Sequence, residues 1–433
     1  MNPLFLIIIL PMAMAALIYV LRSWGAIAPL LTAATALILI GLCTQIPSGE
    51  TAQVLGRALV FSPLNRLLLS FLLALVALMA LYAWPVSQGW AFLPFTLLFV
   101  GLVSAALMIR PFLLAVLLLE IAALLLVFPM GGARAAQRYM VLVAAATPPL
   151  LLASWLMDLY TLNPDNQGLI PATVALLALG FGLLLAVMPL HLWLPAVAEE
   201  APSMVTALVT SAFHLAVLLL LVNLLNDVPW LAAEPRARQV LMAGGLLTAL
   251  GGGLLALPQE RLSRLLAYSA ISDLGFILVG LGAGSALGLT GAALGLVSRA
   301  LALLLMAMGL GAMYRQALGP AATLAFIFGG LALSGFPLSG GFPGRWLICR
   351  AAFQRQPLQA YALLLASLLL FLGYLRALRA ALSLRSEVAW GRGSWLVRGM
   401  IILLIVFSVL MGLYPQLILR PILPGIGNLT FVQ

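Results

Sequence analysis

The chain has 433 residues, 64% of them hydrophobic and 7% charged, and its mean hydropathy is +1.20, which leaves too little polar surface to cover a water-soluble domain. A soluble enzyme and a nucleic-acid-binding domain are therefore excluded despite a formal net charge of +10, and an integral membrane protein is implied. All 21 basic residues are arginine, so no side chain supplies a titratable amine.

A spanning helix needs roughly 20 apolar residues, and about fourteen runs of suitable length follow one another along the chain. They lie near 3–21, 24–46, 64–84, 90–109, 112–130, 139–162, 171–191, 203–226, 236–256, 265–284, 286–312, 322–350, 359–383 and 397–423. The first run lacks the basic flank of a secretory signal and is expected to stay as a span. Connections are short, so no extramembrane domain and no resident cofactor, metal or nucleotide site is expected. Cys43 and Cys349 stand far apart in apolar runs, without the spacing of a disulfide framework or a metal site.

Loops after odd-numbered spans hold the larger share of arginines, including Arg22, Arg134, Arg138, Arg261, Arg264, Arg315, Arg376, Arg379, Arg385, Arg392 and Arg398. The opposite loops hold chiefly Arg57, Arg66, Arg110, Arg236, Arg238, Arg355 and Arg420. By the positive-inside rule both termini are expected outside the cytoplasm.

Two spans are broken alike. The seventh ends in Met-Pro-Leu-His-Leu-Trp-Leu-Pro, and the twelfth carries Ser334-Gly-Phe-Pro-Leu-Ser-Gly-Gly-Phe-Pro-Gly344 just before Arg345. Backbone freed by proline and glycine is tolerated at membrane depth only where it is buried in protein or lines a wet cavity. Paired breaks in corresponding halves are the sequence trace of inverted repeats. The expected fold is thus all-α, with two inverted five-helix repeats over 90–226 and 236–383, N-terminal helices over 1–89 and a C-terminal helix over 397–423.

The candidate functional residues are the ionisable groups inside these runs. Glu120 lies mid-span, where an ionised carboxylate costs roughly 2.5 kcal/mol or more, so it must be neutral, paired or hydrated. Either a proton relay or a helix-packing hydrogen bond accounts for it. His214, also mid-span, carries the one side chain that ordinarily exchanges protons near neutral pH. His191 sits at the first break, where orienting freed backbone and proton transfer are both open roles. Arg299 and Arg345 are intramembrane cations that hold their protons and so act only as electrostatic modulators. Asp273 is an expected ion-pair partner for Arg299. Glu199 and Glu200 follow the seventh span and form either an acidic entrance or a solvated turn.

Three stretches resemble a known family: Pro189-Leu-His-Leu-Trp-Leu-Pro195 with Ala201-Pro-Ser-Met-Val-Thr-Ala207, Arg264-Leu-Leu-Ala-Tyr-Ser-Ala-Ile-Ser272, and Ser334-Gly-Phe-Pro-Leu-Ser-Gly-Gly-Phe342. They are similar to the antiporter-like membrane subunits shared by respiratory complex I, membrane-bound hydrogenase and formate hydrogenlyase complexes, and multi-subunit sodium/proton antiporters. The resemblance implies a proton path through a fifth-helix glutamate, a seventh-helix lysine, an eighth-helix lysine or histidine, and a twelfth-helix lysine or glutamate. Glu120 and His214 match two of these positions. The seventh-helix lysine falls on Leu184, the twelfth-helix group on Arg345, and the family's usual aspartate after Trp-Leu-Pro is Ala196.

The expected function is an antiporter-like, non-catalytic membrane subunit of a complex-I-related assembly in the bacterial inner (cytoplasmic) membrane. It relays protons, with sodium as the alternative ion, while redox energy enters through partner membrane and peripheral subunits. One alternative is a structural or docking subunit with a disabled channel. Another is a component of a cation/proton antiporter or of an inorganic-carbon uptake system.

Overall fold

The computed structural model describes residues 3–47, 49–54, 56–314, 320–383 and 394–427. Arg315, Arg385 and Arg392 of the loop arginines lie outside these residues, as does the Arg379 side chain.

The first four spans are α1 (Pro3–Val20), α2 (Ile27–Gln45), α3 (Pro63–Ala83) and α4 (Phe92–Met108). Ser62 caps α3 by accepting the Asn65 N–H at 3.1 Å, and Pro63 opens its first turn, where no intrahelical donor is needed. Between α2 and α3 an antiparallel hairpin pairs β1 (Thr51–Val54) with β2 (Arg57–Val60), Thr51 facing Val60. The hairpin departs from the all-α expectation. Its alternation is too short to register against the apolar background, and it is held by the Arg110 N–H, which donates to the Ala58 carbonyl at 2.9 Å.

The fifth span is α5 (Phe112–Leu125), and the sixth is α6 (Ala133–Ala144) followed by α7 (Thr147–Leu162). Pro148 and Pro149 lie in the first turn of α7; they offer no N–H to α6, so the span is interrupted there, which the run 139–162 does not reveal. The seventh span is broken as expected: α8 (Leu169–Leu184) gives way to irregular backbone with Ala186 at φ +55°, and α9 (Trp193–Glu200) resumes beyond it. The eighth is α10 (Ser203–Ala207), a π-helical turn over Leu208–Phe213, and α11 (His214–Asp227). The widened turn directly precedes His214.

After the short α12 (Pro229–Ala233), α13 (Pro235–Ala256), α14 (Leu262–Gly282) and α15 (Ala286–Tyr314) form spans nine to eleven. α13 and α14 approach closely because glycines face one another: a Cβ on Gly245 would stand 2.8 Å from the Gly275 carbonyl. The twelfth span is broken between α16 (Pro320–Ser334) and α17 (Gly341–Arg355), and α18 (Pro357–Ser383) and α19 (Ser394–Leu413) complete the set. The run 397–423 is not one span. It stops at Leu413, and α20 (Gln416–Gly427) packs separately against α3 and α15.

Among the described residues, 11 helices are long and apolar enough to cross a membrane, and α4, α8 and α16 are shorter apolar crossings, in agreement with the roughly fourteen runs. The chain is a multi-pass integral membrane protein. Its core is the eighth, tenth and eleventh spans, 100%, 94% and 89% buried, whereas the first and the last two are about one-third buried and present apolar faces outward. Helix alternation places the hairpin, the α7–α8 connection and the α11–α12 connection at one end of the bundle, and Glu199 and Glu200 at the other.

Candidate functional site

The central helices hold an ionic chain. Asp273 on α14 lies between two guanidinium groups: Arg345 Nη2 from α17 donates to its Oδ1 at 2.9 Å, and Arg299 Nη1 from α15 reaches its Oδ2 at 3.5 Å. Arg299 is 2% exposed, so its desolvated charge needs this partner. It also donates to the carbonyls of Ala270 and of Thr210, the latter at 3.3 Å. Its Nη2 meets His214 Nδ1 at 3.1 Å. A guanidinium can only donate, so Nδ1 accepts and the neutral imidazole carries its proton on Nε2, which has no protein partner.

Arg345 has further partners of its own. Its Nη1 donates to Ser367 Oγ on α18 at 2.7 Å and to the Ser334 carbonyl at 3.4 Å, and its guanidinium lies 3.9 Å from the centre of the Phe276 ring. The broken span makes room for it: Gly335, at φ +76°, would bring a Cβ within 2.5 Å of Arg345 Cδ. The structure thus brings together Asp273, Arg299, Arg345 and His214, joining the eighth span to the tenth, eleventh and twelfth.

Glu120 lies apart from this chain. Its carboxylate is beside Thr147, at the interruption of the sixth span, and near the buried Tyr139, whose hydroxyl donates to the Ala123 carbonyl at 3.0 Å. Glu120 Oε1 is buried without a protein partner. An aromatic wall extends from Tyr139 to His214: Trp193 stands edge-on to Tyr139 at 5.2 Å between centroids and edge-on to His214 at 6.0 Å, with Phe213 behind them. The Trp193 indole N–H donates to the Leu183 carbonyl at 3.0 Å, tying α9 back to the end of α8. The neighbouring Leu184 is 3% exposed.

His191 is buried at the break, its ring 6.2 Å from that of Tyr268 and its Nδ1 without a protein partner. Glu199 pairs with Arg261 and with Arg264, the latter at 2.7 Å. Glu200 accepts the Ala135 N–H at 3.0 Å and so caps the first turn of α6. Sequence reasoning passes over Tyr139, Thr147, Ser367 and Tyr374, which donates to Ser269 Oγ at 2.6 Å. Each is a polar side chain inside an apolar run, a signal that was available; their pairings were not.

The sequence profile of the family described as NADH:quinone oxidoreductase/Mrp antiporter, TM, matches residues 121–373. Formate hydrogenlyase subunit 3 of Escherichia coli (strain K12) is 30% identical over 295 residues, covering 60% of this chain and 48% of that protein, so the chain spans about half the length of the curated relative it matches. A chain of the membrane-bound sulfane sulfur reductase, an archaeal respiratory membrane complex, superposes with a TM-score of 0.86 at 20% identity, covering 99% of this chain and 98% of that one. A chain of respiratory complex I from Thermus thermophilus superposes with a TM-score of 0.82 at 23% identity, covering 99% and 100%. At these identities the structural likeness is one of fold.

Proposed function

Since the chain belongs to the NADH:quinone oxidoreductase/Mrp antiporter family, we propose that it is an antiporter-like subunit of a larger complex-I-related assembly that moves protons across the bacterial inner membrane, driven through partner subunits. Glu120 and His214 take up and pass on protons, and Asp273, Arg299 and Arg345 form the fixed field in which His214 works. The observation that carries this reading is the contact of Arg299 with both His214 and Asp273 in the protein's most buried helices. A buried ionic chain is costly to fold and adds little stability over apolar packing, so its direct coupling to an imidazole favours use. The two breaks, five spans apart, support reading 90–226 and 236–383 as inverted repeats around it.

The test is proton uptake by sealed vesicles carrying the intact assembly, with Glu120→Gln and His214→Ala each expected to depress it. Unchanged uptake in both variants defeats the relay. One set of observations favours a second reading, a docking subunit that pumps nothing: Leu184 is buried where the resemblance places a lysine, and Arg345 is a permanently paired cation where it places a titratable group. In that case an assembly carrying either variant takes up protons as the parent does.

A further inference from the structure

At the hairpin end a cavity of about 350 Å³ opens between α5, α7 and α11. Its mouth is framed by Arg110, which pairs with Asp227 at 3.0 Å, and by the exposed carboxylate of Asp158. One guanidinium against two carboxylates leaves that mouth net negative, which concentrates cations and protons. Its polar lining continues inward to Ser154 and Asn223, 5% and 6% exposed. Ser154 and Thr147 are separated by seven residues of one helix, so they share a face with about 10 Å of rise between them. Thr147 is the hydroxyl beside Glu120. On the facing helix, Ala115 lines the same cavity little more than a turn before Glu120.

Asn223 donates to Asn65 Oδ1 at 3.0 Å and so ties α11 to α3, while a cavity whose wall carries hydroxyls and carboxylates as well offers entering water several partners. We propose that this cavity is the hydrated vestibule through which Glu120 exchanges protons with the hairpin side of the membrane, Asp158 collecting them at the mouth and Ser154 and Thr147 marking the route inward. The inference rests on the reading of Glu120 as a proton carrier and adds the side from which it is served. Asp227, held by Arg110, is a positioning residue that keeps the mouth open.

The experiment places single cysteines at Ser154, Ala115 and the mouth residue Thr161 in the complete assembly, in sealed vesicles of each orientation, with a membrane-impermeant methanethiosulfonate as the probe. The native Cys43 and Cys349 are buried. Ser154→Cys and Ala115→Cys are expected to react only from the side that labels Thr161→Cys. Labelling at Ser154→Cys is expected to slow proton uptake about tenfold, a barrier raised by about 1.4 kcal/mol. Because the block is applied after assembly, folding is not at issue, and Ala115→Cys reports from the opposite wall if one variant fails to assemble. Reaction from neither side, reaction from the Glu199 side, or labelling that leaves uptake unchanged each overturns the vestibule. Glu120→Gln separates the two ideas: if it abolishes uptake while labelling does not, the vestibule alone fails. If it leaves uptake intact, Glu120 is not a proton carrier, and the route to it fails as well.

Discussion

Asp273→Asn removes the one anion between two guanidinium groups that are 2% and 7% exposed at the side chain. The substitution is nearly isosteric and keeps an oxygen able to accept from Arg345, so lost packing is a minor part of its effect. A neutral hydrogen bond lost in place accounts for about 1–3 kcal/mol. Leaving buried charge without its partner costs about 3–5 kcal/mol, and here two cations of like sign are left together, so the electrostatic part dominates. At the lower bound the ratio of folded to unfolded protein falls on the order of a hundredfold. The assay is the thermal midpoint of the purified assembly in detergent, read together with the amount of subunit recovered in it. Asp273→Asn lowers both, and adding Arg345→Gln, which returns the cluster to its native net charge, recovers part of the loss. A double variant no better than Asp273→Asn would refute the claim that unbalanced charge, rather than altered shape, is what destabilises.

Glu199→Gln breaks pairs with Arg261 and Arg264, whose side chains are 66% and 43% exposed, so solvent screening holds its cost under about 1 kcal/mol and the same midpoint moves little. Gly335→Ala combines an unfavourable φ of +76° with a 2.5 Å approach to Arg345 Cδ. It costs about 1–3 kcal/mol by the same measurement, whereas Gly399→Ala, with nothing within 4 Å of its added Cβ, does not lower the midpoint. Arg345→Lys preserves charge but loses the forked contact to Asp273, Ser367 and the Ser334 carbonyl. It lowers the midpoint by less than Arg345→Gln does, while a conservative result equal to the parent would show the fork to be dispensable. Tyr374→Phe deletes the 2.6 Å bond to Ser269 and costs about 1 kcal/mol, visible as a small drop in midpoint.

The spans and both broken helices were legible because lipid imposes a strict requirement on the chain. Every crossing must be apolar for about twenty residues, and proline or glycine that interrupts one must be covered by protein. The ionisable candidates were legible for the same reason: Glu120, His214, Asp273 and Arg299 stand out against apolar neighbours. What stayed hidden was mostly tertiary. Asp273 was expected beside Arg299 but also accepts from Arg345, 72 positions away, and no local pattern encodes that choice. The interruption at Pro148–Pro149 was hidden because two prolines are tolerated in a first helical turn, so they do not distinguish a new start from a continuing span. The π turn before His214 leaves no compositional mark in Leu208–Phe213.

The absence of lysine shapes how such a core can operate. Arg299 and Arg345 keep their protons, so the cluster around Asp273 changes charge only if Asp273 or His214 does. A proton arriving at His214 Nδ1 takes the electron pair that Arg299 now uses, and Arg299 must then lean further on Asp273, which it already reaches at 3.5 Å. Histidine protonation is thereby linked to the grip of Asp273 on both arginines and, through Arg345, to the broken twelfth span. Between Tyr139, the neighbour of Glu120, and His214 stand the uncharged rings of Trp193 and Phe213. The wall includes the residue that holds the seventh span together, since the Trp193 indole is bonded to the Leu183 carbonyl across the break. On the proposed relay, the break at 185–192 is therefore the element whose movement would join the two titratable groups.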